Sequence, residues 1–148
     1  MKIARAEKIT NSTVGERFVD AMAVGLIDFF KAHPETPIPT TGKEFEQGVV
    51  SMARSSGDDG LLAFSYSQRA KMELYALFGT DPENPELEVR DKLKLIGDKS
   101  LSNKERADII RSFGEEFELL AKAFEAGDCQ RPLVFQRFFE LMDENNLK

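Results

Sequence analysis

The chain has 148 residues, 41% apolar and 31% charged, which suits one soluble globular domain and excludes a disordered or collagenous one. Lys and Arg number 20 against 26 Asp and Glu, a formal charge of −6. Divided at its expected joints into 1–40, 41–79, 80–101, 102–127 and 128–148, the chain has no segment with a basic surplus, which argues against a general binder of phosphate backbones. A single cysteine, Cys129, permits no internal disulfide, and there is no apolar leader and no run near the ~20 residues of a membrane span, so the expected location is cytoplasmic.

Residues 1–12 read as a flexible N-terminal arm carrying Lys2, Arg5 and Lys8. Val14, Phe18, Met22, Leu26 and Phe30 then recur every four residues, one face of a helix. Thr13-Val-Gly-Glu16 ahead of them predicts a capping box. The helix should stop near His33 as a C-terminal cap, because Pro34, Pro37 and Pro39 follow. Thr41-Gly-Lys-Glu44 is a second capping box, and Phe45, Val49, Met52 and Ala53 predict a shorter helix closed at Gly57. Asp58 or Asp59 would cap the next, marked by Leu62, Tyr66, Ala70, Leu74, Leu77 and Phe78 and closed at Gly79.

Thr80–Pro85 is a turn, with Pro85 expected at a first helical position ahead of Glu86 and Glu88. Leu87, Val89, Leu93 and Ile96 carry that helix to Gly97. Ser102-Asn-Lys-Glu105 is a third capping box. It opens what reads as one unbroken helix through Ile109 or Ile110, Phe113, Phe117, Leu120 and Phe124, with Gly114 as a close-packing point or mild kink. Gly127 and Asp128 end it, and Pro132 starts the last helix, with Val134, Phe135, Phe138, Phe139, Leu141 and Met142. Nothing alternates with period two. The fold class predicted is all-α: a compact single-domain bundle over 1–148, about six helices with short loops.

Tests for chemistry mostly fail. With Gly60 as the sixth position of a calcium loop, Gly57 and Tyr66 fall where a side-chain oxygen and a bidentate Glu are required. Asp98–Asn103 fails likewise. As a phosphate loop, 54–62 lacks the Lys and the preceding strand. One His and one Cys cannot build a zinc site, and no Glu-x-x-His pair is present. Asp58 and Asp59 read as solvated acids. If 102–124 were a helix-turn-helix with its turn at Ser112-Phe-Gly114, Glu115, Glu116 and Glu118 would meet DNA phosphates with acid. No catalytic, cofactor-binding or metal-ligating residue is therefore assigned, and no cofactor is expected.

The last helix carries more apolar residues than one narrow stripe needs. It is either a central core helix or one that faces another molecule. On the second reading Phe135 and Phe138 are anchors, with Arg131 and Arg137 at the rim. The function expected is a non-enzymatic helical protein acting through protein–protein contact or self-association: an adaptor, inhibitor or small regulator with an apolar and acidic surface. Two alternatives stay open: a ligand-binding or catalytic helical domain using Tyr66, Tyr75, Arg69 or His33, and nucleic-acid contact through the N-terminal arm.

Overall fold

The structure, a computed structural model, describes residues 12–45, 47–48, 67–98, 100–127 and 131–144. Among them are six α-helices, one 3-10 turn and no strand. The helices are α1 (Thr13–Ala32), α2 (Gln68–Leu77), α3 (Leu87–Ile96), α4 (Asn103–Arg111), α5 (Glu118–Glu125) and α6 (Arg131–Glu144), with the 3-10 turn at Glu115–Phe117. A further helical stretch occupies 42–45 and 47–48. The all-α class expected from the spacing is the one observed. Arg54–Leu62, with its proposed stop at Gly57 and cap at Asp58 or Asp59, lies outside the described residues, as do Lys2, Arg5, Lys8, Tyr66 and Cys129.

Helix α1 is the axle. Val14, Phe18, Met22 and Leu26 are buried as their spacing predicts, and Val19, Ala21, Ala23 and Ile27 are buried too. More than one stripe is covered because α2 and α6 both pack along α1, and α5 and the 3-10 turn touch it as well. Each large side chain buried this way contributes about 1.5–3 kcal/mol.

Four boundaries differ from the sequence reading, each for a local reason. The N-cap of α1 is Ser12, not Thr13: Ser12 has extended backbone and its hydroxyl accepts the Gly15 N–H at 3.0 Å. That shift puts Gly15 where a capping-box carboxylate would be, and Glu16 serves only as a first-turn acid. Helix α2 begins at Gln68, since Ser67 is extended and its Oγ accepts the Ala70 N–H at 3.0 Å. Its other end closes as expected. Gly79 sits at φ +81, and the Gly79 and Thr80 N–H groups donate back to Ala76 and Tyr75, a Schellman motif.

Helix α3 begins at Leu87 rather than Pro85. Buried Thr80 reaches forward and its Oγ1 accepts the Glu86 N–H at 3.0 Å, holding Glu86 as an extended N-cap. The fourth difference is the largest. The helix predicted through 102–124 is broken: α4 ends at Arg111, and Gly114 at φ +140, ψ 167 turns the chain before α5. The four-residue spacing that suggested continuity comes from an aromatic triad instead. Phe113 and Phe117 straddle the turn and both pack on Phe78, with ring centroids 4.6 and 5.1 Å away. The capping box at Ser102 and Glu105 is complete in both directions, each bond 3.1 Å.

Candidate functional site

The predicted partner residues on α6 divide. Phe138 is fully buried, 5.5 Å from Phe30, 5.8 Å from Phe45 and 5.3 Å from Phe139 between ring centroids. It is a core residue here and offers no surface to a partner. Phe135 is half-buried, leaning on Phe45 at 5.0 Å and on Phe139 at 4.7 Å. Arg137 is engaged within the fold. Its Nε donates to Asp20 Oδ1 on α1 at 2.7 Å, and its Nη1 donates to Glu140 at 3.0 Å and lies 3.6 Å from Glu144. Burial opposes the charge on Arg137, and these carboxylates outweigh it, so its pKa is raised. Arg131 opens α6, and its side chain lies outside the described residues.

Among the described residues, Arg137 is one of three arginines that tie two helices together. Arg69 on α2 donates to Asp28 on α1 at 2.7 Å. Arg111 on α4 donates from Nε to Glu118 at 2.9 Å and from Nη1 to Glu125 at 2.6 Å, both on α5, and to Asp108 at 3.0 Å. Those bonds, to Glu118 first, raise the pKa of its guanidinium. Of the side chains expected to line a ligand pocket, Arg69 is the one just described, and Tyr66 lies outside the described residues. His33 caps α1, its Nδ1–H donating to the Phe29 carbonyl at 3.0 Å while its ring stacks on Phe29 at 4.3 Å. Tyr75 packs partly buried against the core. Among the described residues no three His, Cys, Asp or Glu are grouped to hold a metal ion. No described helix is long and apolar enough to cross a membrane.

Among the described residues, two of the three large apolar side chains left exposed lie on α3. This helix packs chiefly on α4, and buries Val89, Leu93 and Ile96. Leu87 is 72% exposed and Leu95 43% exposed. The two sit two turns apart on the outward side, with exposed Asp91 midway between them. Asp81, Glu83, Glu86 and Glu88, all exposed, lie in the turn and first helical turn around Leu87. Apolar spacing alone groups Leu87 with Val89, Leu93 and Ile96 and so misses this face. At 100° per residue Leu87 points nearly opposite Val89, so the angular positions already separate it from the buried side.

No protein-family model, curated protein or solved structure matches this chain.

Proposed function

We propose that this protein acts through contact with another protein, as an adaptor, inhibitor or small regulator, and performs no chemistry of its own. The observation that supports the reading is the outward face of α3, where Leu87 and Leu95 are exposed on a helix whose core side is already complete. Exposed leucine gains nothing from folding, and apolar side chains rimmed by polar groups are the usual anchors of an interface. The contact surface is thus assigned to α3, with half-buried Phe135 on α6 as its weaker counterpart.

The test is capture from native cell extract with the wild-type chain and with Leu87→Ser/Leu95→Ser, their melting temperatures matched. Loss of a specific partner from the variant supports the reading. Equal recovery of that partner by both chains overturns it.

A further inference from the structure

We propose that the outward face of α3, with the turn leading into it, docks a basic segment of its partner protein, one that presents an apolar side chain to Leu87. This rests on the contact function above and adds the chemistry of the partner. The local fold uses only part of what stands there. Asp81 Oδ1 accepts the Glu83 N–H at 3.0 Å and so ties the turn. Glu88 lies in the first turn of α3, where the helix dipole favours an acid. Glu86 fills the N-cap position, yet its carboxylate makes no capping bond to the free N–H groups of the helix. Glu83 and Leu87 have no comparable role.

The charge is mainly acidic in the turn and first helical turn, at Asp81, Glu83, Glu86 and Glu88, while exposed Arg90 and Lys94 stand further along the same helix. Elsewhere in the bundle some acids are paired with arginines, Asp20 with Arg137, Asp28 with Arg69, and Glu118 and Glu125 with Arg111, while Glu16, Glu115 and Glu116 stand singly, with no ion pair among the described residues. Around Leu87, Glu88 has Lys92 at 3.2 Å. Asp81, Glu83 and Glu86 have no ion pair among the described residues. A neutral or acidic surface closing over Leu87 would desolvate these carboxylates without return. A basic segment meets their charge while its apolar residue covers the leucine, and its approach is steered by the same field.

The probe is a synthetic amphipathic helix of Leu and Lys, titrated into the full chain and followed by amide shifts and fluorescence anisotropy. Saturable binding is expected, with shifts confined to 81–95. Leu87→Ser, and separately Glu83→Lys/Glu86→Lys, should each weaken it about tenfold or more. Glu115→Lys/Glu116→Lys removes as much acid beside Leu119, which is 37% exposed, and should change the affinity by no more than about twofold. Equal weakening by that control pair reveals diffuse attraction to an acidic protein and overturns the proposal, as does absence of saturable binding. If Leu87→Ser abolishes partner capture while a Leu/Glu helix binds in place of the Leu/Lys one, the contact function stands and the basic partner falls.

Discussion

Gly114 is held at φ +140, where a Cβ would also lie 2.7 Å from Glu116 Oε2. The carboxylate can swing away, but the backbone cannot, so Gly114→Ala should cost about 1–3 kcal/mol in urea unfolding. The caps offer a sharper comparison. Ser12→Ala removes the acceptor for the Gly15 N–H and should cost about 1 kcal/mol, whereas exposed Thr13→Ala should change stability by less than about 0.5 kcal/mol. The opposite ranking would restore Thr13 as the cap. Two exposed carboxylates are also set by local bonds. Glu44 accepts from the Thr40 N–H and hydroxyl, and Asp98 from the Ser100 hydroxyl and N–H, and both pKa values are lowered. Their stabilisation is present above the unfolded-state values, near pH 4, and is lost as pH falls through the folded ones. Glu73 runs the other way. Burial raises its pKa against the counter-pull of Arg69, so its charge disfavours folding at neutral pH. Solvent screens much of that effect, so Glu73→Gln should raise the melting temperature only slightly at pH 7, within about 0.5 kcal/mol, with the gain gone below about pH 4. A gain that persists undiminished in acid would point to packing instead.

At the scale of elements, α6 separates two roles that its sequence merged. Its apolar residues cover most of the circumference, and periodicity alone does not show which side meets α1 and which meets water. The structure puts Phe138 in the middle of the aromatic group of Phe30, Phe45 and Phe139, and leaves Phe135 at the edge. Phe138→Ala should accordingly cost about 3–5 kcal/mol, a large share of a typical 5–15 kcal/mol. Phe135→Ala should cost clearly less by the same urea titration, and similar costs would contradict this division. The α4–α5 pair shows a different limit of sequence. Ser102 and Glu105 mark the start of α4 correctly, because a cap is a local device readable from residue type and spacing. The break at Gly114 was not legible, because Phe113 and Phe117 keep helical spacing while serving a tertiary contact with Phe78. Only the glycine hinted at it, and glycine is tolerated in helices often enough for the apolar spacing to prevail.

Across the whole molecule, the core was largely legible and the surface was not. Buried positions such as Phe18, Leu26, Leu74, Leu93 and Leu120 follow from periodicity because burial must repeat with the helix. The exposed leucines of α3 and the three interhelical arginines do not repeat, and depend on which helices become neighbours. Those neighbours imply an uneven distribution of stability. Helix α1 is covered by α2 and α6 and touched by α5, so its amides cannot exchange without opening most of the fold. Helix α3 rests chiefly on α4 and turns Leu87 and Leu95 to water, so its opening uncovers less apolar surface. Native-state hydrogen exchange should show the amides of Ala21–Ile27 opening with the full unfolding free energy and denaturant slope. Those of Arg90–Ile96 should open with a lower free energy and a shallower slope. Equal protection in the two helices would mean that α3 belongs to the same cooperative unit as α1. A ligand seated on α3 should raise protection there first, because binding to the closed form adds directly to the local opening energy. Protection gained in α1 alone would place the contact elsewhere on the molecule.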